Sequence, residues 1–458
     1  MNDLPMFQSA LPKIRSRSMG LKLFVVCALA LAMTIPAFFV DDLVDERTHR
    51  ASDVVKEISN HVGGQQTFLG PTLAVPYTVP GGTNDARIPQ GTYFIFPAQA
   101  SATVVTKTGE RRRSLFKVPV FQADLNFSAS FDLANLPDGL PQNAQLEWSQ
   151  AEFIIGVTDP RGALSDGTVT SGDKTLALVP ATVAEKLTLG SDRTQELKLT
   201  LFGAKIADIL PNSKFTATAS MRFSGAQRIA VLAYGKSTQL TMQGDWPNPG
   251  FDGGFLPTVR SISPAGFTAE WSVPFIARSV RAAGTTESLR ALDSTALGVS
   301  FVELADPYQS VTRSLKYILL FLGLIFLSYF IFEVTTGKRV HPAQYALVGV
   351  AQIIFYLLLL SFAERIGFDF GFLVAGSATV ALLTANTGWI FASRVQAIRA
   401  CAIFSMLYAL IFMLLRLEDN ALLVGAIASF LAVAAAMYFT RSIDWYGSLP
   451  EPAAPNQG

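Results

Sequence analysis

Two textures divide this chain: long uncharged apolar runs, and stretches in which apolar and polar residues alternate. Six runs meet or approach the roughly 20 apolar residues that cross about 30 Å of hydrocarbon. They are 23–40 near the amino end, then 317–332, 342–363, 370–393, 400–415 and 420–440 in the last third. Runs 342–363 and 370–393 are uncharged over 22 and 24 residues. The two 16-residue runs, 317–332 and 400–415, reach full length if Lys316 and Glu333, or Arg416, snorkel to the interfaces. The pattern predicts an integral membrane α-helical protein, with one amino-terminal span and a five-helix carboxyl-terminal bundle.

The middle of the chain has the texture of a folded domain. From Asp41 to His61 it is charged, with Val54, Val55, Ile58 and Val62 at helical spacing. This predicts a helix continuing out of the first span and ending at Gly63 and Gly64. Beyond it, alternation is strict at 125–131 and 197–201, and 215–223, 237–243, 267–271 and 297–302 are further strand candidates. Gly, Pro, Asn and Asp punctuate them. Many short strands with few helical stretches predict a large all-β, sandwich-like domain, and about 230 residues suffice for its core.

Composition agrees with this division. Half of the 458 residues are apolar and only 16 % are charged, where a soluble domain carries about 25 %. With a mean hydropathy of +0.35 this excludes a disordered chain and argues against a single soluble globule. The net charge of +1, from 36 basic and 35 acidic residues, implies no nucleic-acid partner. The two cysteines, Cys27 and Cys401, both lie in apolar runs and supply neither a disulfide framework nor a thiolate metal site.

Basic residues in the short connections set the expected orientation. Lys13, Arg15, Arg17, Lys22, Lys338, Arg339, Arg394, Arg399 and Arg441 all fall on one side of alternating spans. The two short loops of the other side hold two basic and four acidic residues, Arg365 and Arg416 against Glu364, Asp369, Glu418 and Asp419. The expectation is a multi-pass membrane protein with both termini cytoplasmic. Residues 1–22 then form a cytoplasmic amino terminus, 23–40 the first span, 41–64 a juxtamembrane helix and 65–314 an exported β-rich domain. Residues 315–441 form the five-helix bundle and 442–458 a cytoplasmic tail, with 447–458 expected to be disordered. Positions 36–42 offer no small-x-small cleavage site, so the first span is expected to be an uncleaved anchor rather than a signal peptide.

Signatures of catalysis are sparse. His49 and His61 share roughly one helical face without a third ligand, and His341 before Pro342 reads as a helix start. No H-E-x-x-H, C-x-x-C or G-x-S-x-G occurs. Gly235, Lys236 and Ser237 lack the upstream glycine of a phosphate loop and read as a hairpin turn. Arg111, Arg112 and Arg113 form either a basic tip for lipid phosphates or an acidic partner, or a solvated hairpin end. Asp159 with Arg161, or Asp245 with Asp252, would head an enzyme reading, but turn capping explains each more cheaply.

Within the spans ionisable residues stay at the edges, which leaves a proton or ion relay without buried carboxylates. Asn386 binds either a substrate or a neighbouring helix. Gly371, Ala375 and Thr379, and likewise Ala428, Ala432 and Ala436, repeat at four and predict close helix packing. The densest cluster, 244–257, holds three prolines, four glycines, Trp246, Phe251 and Phe255. It is not expected to continue a sheet, and its aromatics either plug the sandwich end or form a binding surface.

Several of these residues together resemble the CreD family of inner-membrane, cell-envelope integrity proteins. They are 69–77 (Leu-Gly-Pro-Thr-Leu-Ala-Val-Pro-Tyr), 159–162 (Asp-Pro-Arg-Gly), and Trp246, Pro247, Pro249, Phe251, Gly253, Phe255, Leu256 and Pro257. Gly266, Phe267, Ala269 and Trp271 belong to the same set. In the membrane part they are Arg339, His341, Pro342, Gln344, Tyr345, Leu347, Val348 and Gly349, then 355–360, then Arg441, Ile443, Asp444, Trp445 and Tyr446. The resemblance spans about 20–446, while 280–298 and the proline-rich tail match least. It implies control by a carbon-source-responsive two-component system and links to envelope integrity, colicin tolerance and β-lactam response. It implies no catalytic residue, metal or cofactor. The leading expectation is a non-catalytic protein that sits in the lipid bilayer and binds or scaffolds envelope proteins or cell-wall components. The alternatives are a transporter of a small molecule or lipid, against which the bundle shows no two-fold repeat, and a periplasmic hydrolase.

Overall fold

The computed structural model describes residues 19–79, 91–113, 116–134, 140, 143–182, 186–189, 197–206, 209–301, 307–416 and 421–440. Lys13, Arg15, Arg17, Glu418, Asp419, Arg441, the motif at 441–446 and the tail at 447–458 lie outside the described residues. The chain divides into two compact units, Met1–Arg50 with Ala305–Gly458, and Ala51–Leu304.

The first unit begins with α1 (Met19–Ala32) and, after a turn at Met33, α2 (Thr34–Val62), whose residues from Ala51 on belong to the second unit. Pro36 is the cause, because it withdraws the N–H that the Ala32 carbonyl would accept. Two short helices of the second unit, α3 (Phe275–Arg278) and α4 (Thr286–Arg290), come next in the chain. The first unit resumes with α5 (Pro307–Lys316), α6 (Ile318–Thr336), α7 (Pro342–Ile366), α8 (Phe368–Phe391), α9 (Arg394–Arg416) and α10 (Ala421–Thr440). Five helical segments among the described residues are long and apolar enough to cross a bilayer: Gly20–Val62, α6, α7, α8 and α9. The uncharged α10, 20 residues long, occupies the place of the sixth run.

The helices of the two short runs extend beyond the runs, and of the residues expected to snorkel Glu333 does not. α6 continues to Thr336 and α9 starts at Arg394. Glu333 turns into the protein and is 3 % exposed. Gly371 does what its spacing predicts: a Cβ there would stand 2.8 Å from the Ala363 nitrogen, so α7 and α8 touch backbone to backbone. The side chains of Ala428, Ala432 and Ala436 lie outside the described residues.

The second unit is a pair of packed sheets. Its strands are β1 (Gln66–Thr78), β2 (Gly91–Ile95), β3 (Gln99–Arg113), β4 (Phe116–Asp132), β5 (Gln145–Leu146), β6 (Glu152–Val157) and β7 (Thr168–Ser171). Then come β8 (Lys174–Ala177), β9 (Val179–Pro180), β10 (Lys186–Leu189), β11 (Leu197–Lys205), β12 (Lys214–Ala226) and β13 (Arg228–Leu232). The last are β14 (Ser237–Gly244), β15 (Pro249–Gly253), β16 (Val259–Ser263), β17 (Gly266–Val273), β18 (Ala283–Gly284) and β19 (Ala296–Phe301). One sheet runs β10-β11-β6-β1-β13-β19-β15, with β2, β5, β9 and β18 attached. The other runs β16-β17-β14-β3-β4-β12-β7-β8.

Alternation builds the shared core. Ala102, Val104, Leu125, Phe127, Ala217 and Met221 face inward from the second sheet, and meet Phe68, Phe153, Leu201 and Val231 of the first. The Phe68 and Phe223 rings meet edge-on at 5.2 Å, and those of Phe131 and Phe153 lie 5.5 Å apart, tilted by 40°. Tyr234 ties the layers together: its buried hydroxyl lies 2.8 Å from the Ser101 carbonyl and 2.9 Å from the Ser128 carbonyl and shares its one proton between them. Burial pushes that phenol well above its ordinary pKa.

The sandwich expectation holds, with two departures. β1 crosses the centre of its sheet despite Gly70, Pro71 and Pro76. It tolerates Pro71 because its partner changes there, from β13 at 66–68 to β2 at 73–77, and its register with β6 shifts between Leu69 and Thr72. The segment 244–257, expected not to continue a sheet, contributes β15, paired along its length with β19. It can do so because β15 is an edge strand and Pro249 its first residue, where a missing donor breaks no ladder. Gly235, Lys236 and Ser237 are not a hairpin turn. They carry the chain from β13 in one sheet to β14 in the other, with Lys236 N–H donating to Pro97 O at 2.8 Å.

Candidate functional site

The aromatic segment after β14 is fixed from below. Trp246 lies edge-on to Phe301 at 6.1 Å, and Phe251 meets Phe267 at 6.2 Å and Trp271 at 6.0 Å. The Trp271 indole N–H donates to the Phe255 carbonyl at 3.0 Å. Asp252 pairs with Arg228 at 2.7 Å and accepts from the Ser300 hydroxyl. Gly253 has φ +107°, and a Cβ there would lie 2.1 Å from the Ala296 carbonyl oxygen, so no other residue fits without moving the strand. Trp246, Phe251 and Phe255 are each half-buried against the core.

What this anchored segment offers outward is its flank. Leu256 is 68 % exposed, and Val259 and Ile262 project from β16, the fully exposed edge strand of its sheet. Beside them opens a groove of about 510 Å³, bordered by Lys107, Gln243, Asp245, Ser261, Ser263 and Thr268. Asp245 is oriented there by the Thr108 N–H at 2.8 Å and hydroxyl at 2.7 Å. Chemically this is a polar trough over β3, β14, β17 and β16. Val259 shares its face of β16 with Ser261 and Ser263, while Ile262 leaves by the opposite face. The outer edge of β16 is unpaired among the described residues, and the trough is suited to holding an extended chain. Asp245 and Asp252, one on Thr108 and the other on Arg228, have separate partners. Among the described residues no group of three His, Cys, Asp or Glu could hold a metal ion.

The three arginines close the β3–β4 hairpin, where Arg111, Arg112 and Arg113 pair with Val118, Lys117 and Phe116. Arg113 forms an ion pair with Glu57 on α2, which holds that carboxyl below its ordinary pKa, and Arg112 sits 3.3 Å from Glu110. Asp159 caps the turn at Pro160–Gly162 through the Arg161 N–H at 3.0 Å. The Arg161 guanidinium, 2.6 Å away, keeps the Asp159 carboxyl below the usual range.

In the bundle, Asn386 donates to the Tyr329 hydroxyl at 3.3 Å, as does Thr387 at 3.1 Å, while that hydroxyl donates to Leu383 O. Asn386 also borders an open apolar groove of about 410 Å³ between α7 and α8. Tyr408 donates to Gln352 at 3.0 Å. One enclosed charge of the bundle was not among the residues the sequence singled out as buried. Glu333 accepts from Lys22 of α1, from the Tyr345 hydroxyl at 3.1 Å and from the Val340 N–H at 3.1 Å. Lys22 and Glu333 are opposite charges at span ends expected on one side of the membrane, and that was the signal available.

Residues 18–446 match the family described as Inner membrane protein CreD. The chain belongs to the CreD family. It is 30 % identical over 454 residues to the Inner membrane protein CreD of Escherichia coli (strain K12), covering 93 % of this chain and 94 % of that one. It is thus an inner membrane protein, sitting in a lipid bilayer. A solved Legionella pneumophila protein, described as a nutrient-binding candidate, aligns over 56 % of this chain and 80 % of its own at 11 % identity. Its TM-score of 0.24 is too low for that likeness to carry an argument.

The residues that carry the CreD resemblance have visible structural work. Residues 69–77 form most of the central strand β1, and Trp271 holds the 244–257 segment through Phe255. His341 caps α7, its Nδ1 accepting from the Ala343 N–H at 3.2 Å with Pro342 at the first position, as expected of a helix start.

Proposed function

We propose that this CreD-family protein supports cell-envelope integrity by binding an envelope component through its β unit, exported to the periplasm. The resemblance adds control by a carbon-source-responsive two-component system and a part in β-lactam and colicin response. The observation that carries the binding reading is the groove beside β16, where a rigid aromatic base leaves Leu256, Val259 and Ile262 exposed along an unpaired edge. No reaction chemistry is needed for such a surface to act, and the reading is of a binding or scaffolding protein.

The alternation of the spans has its own support. Cross-helix polar contacts join residues that the basic-residue pattern assigns to the same side. Lys22 reaches Glu333, and Lys338 reaches the Phe391 carbonyl, on the side assigned to the cytoplasm. Arg416 reaches Asp369, and Tyr308 reaches Glu364 at 3.0 Å, on the opposite one.

Replacing exposed side chains tests the binding role without touching the core. Cells lacking the protein are complemented with wild type or with Leu256→Asp, Val259→Lys, and survival under β-lactam and detergent is compared at equal membrane levels. The variant is expected to survive no better than cells lacking the protein. Full complementation would sink the proposed surface.

A further inference from the structure

Arg278 ends the one-turn helix α3, and its surroundings invert the usual placement of a charge. Residues 274–277 are exposed, Ile276 by 87 %, yet Arg278 beside them is 2 % exposed. Nε, Nη1 and Nη2 of the guanidinium are buried, and none has a hydrogen-bond partner. The group lies over the Phe96 ring, 4.4 Å from its centroid. An aromatic face attracts a cation but gives its N–H groups no lone pair in place of the water they have lost.

The neighbourhood supplies more positive charge and no counter-ion. Lys236 stands 5.4 Å over the ring of Phe275, in the same turn as Arg278, and Arg281 is exposed three residues on. Lys236 acts at long range on Asp132, but that carboxylate is taken by Lys214 at 2.7 Å and the Ala134 N–H at 3.1 Å. Among the described residues no acid is bonded to Arg278, Arg281 or Lys236. Burial alone pushes the Arg278 guanidinium down to about 10. Ser279 directly after it adopts a left-handed φ of +58°, which a side chain other than glycine rarely takes, so the chain is turned at some cost where the arginine goes inward.

A buried cation with every donor idle is a half-made interaction, since guanidinium presents a fork matched to two oxygens of one anion. We propose that Arg278 is the receptor of an oxyanion site in the β unit, which takes a carboxylate or phosphate group of a ligand. Entry requires the exposed turn at 274–277 to lift, after which Lys236 and Arg281 flank the incoming charge. No described aspartate or glutamate fills the site, and the proposed anion comes from outside the chain. It is either a soluble carboxylate or phosphate, or the phosphate of a lipid headgroup. The inference is independent of which side of the membrane the β unit faces.

Thermal unfolding of the full chain in nanodiscs tests it, comparing wild type, Arg278→Met and Arg278→Lys. The probes are inorganic phosphate and acetate against chloride at matched ionic strength in phosphatidylcholine, and then phosphatidylglycerol against phosphatidylcholine in chloride. Ligand binding to the folded state raises the midpoint, here by about 3 °C near saturation. Wild type is expected to rise with at least one probe, Arg278→Lys partly and Arg278→Met not at all, while Arg278→Met in chloride is at least as stable as wild type. A rise only with phosphatidylglycerol assigns the anion to lipid, and a rise with phosphate or acetate assigns it to a soluble ligand. Equal shifts in wild type and Arg278→Met would overturn the proposal, as would no shift in wild type with any probe. Should Arg278→Met fail to fold, the wild-type and Arg278→Lys responses decide alone.

Discussion

Trp246 and Leu256 lie ten residues apart in one aromatic-rich segment and do different work. Trp246 packs on Phe301, so Trp246→Ala removes core contact and is expected to cost about 2–4 kcal/mol, read as a lower unfolding midpoint. Leu256 is mostly exposed, and Leu256→Asp should stay within about 0.5 kcal/mol of wild type while altering the surface. Loss of function in the first is therefore ambiguous, and in the second it is not. Asp159 supplies a pH-dependent contribution. Its folded pKa lies below the unfolded value of about 3.9, so the Arg161 contact stabilises fully above that value and is lost as pH falls through the folded one. Because Arg161 is exposed and solvent screens the pair, the contribution is small. Asp159→Asn should lose that small contribution at neutral pH, flatten the acid limb of the stability profile below about pH 4, and match wild type at the lowest pH, where Asp159 is itself protonated.

Among elements, the contact between α1 and α6 is the most consequential polar one in the bundle. Lys22→Met leaves the Glu333 carboxylate buried with only neutral donors, and should cost about 3–5 kcal/mol. Removing both charges with Lys22→Met, Glu333→Gln should recover much of that loss in a double-mutant cycle of detergent unfolding. Additive losses would show that the two act separately. The helices themselves were legible because uncharged runs of 22 and 24 residues leave one option in a bilayer. Strict alternation made β4 and β11 equally plain, and β12, β14, β17 and β19 stood out as further strand candidates. β1 and β15 were not legible, because Pro71 and Pro249 normally exclude a strand and only their places at a partner change and on a sheet edge admit them. Glu333 looked interfacial because its partner Lys22 is 311 residues away, and a pairing at that separation leaves no periodic trace.

At the scale of the molecule, the candidate site was legible as a cluster, but its division of labour was not. The prolines, glycines and aromatics of 244–257 marked the region, while only the folded sheets separate the rings that brace it from the side chains that face out. A groove beside an unpaired edge strand suits an envelope partner only if the β unit meets the envelope. Which side of the membrane that unit occupies therefore decides the proposed function. Labelling with a membrane-impermeant maleimide reads it directly, after Cys27 and Cys401 are replaced by serine and single cysteines are placed at Asp173, in the β7–β8 turn, and at Arg339, between α6 and α7. In intact cells Asp173→Cys should label and Arg339→Cys should label only after the inner membrane is permeabilised. Labelling of Arg339→Cys but not Asp173→Cys in intact cells would contradict the export of the β unit, and with it the proposed function.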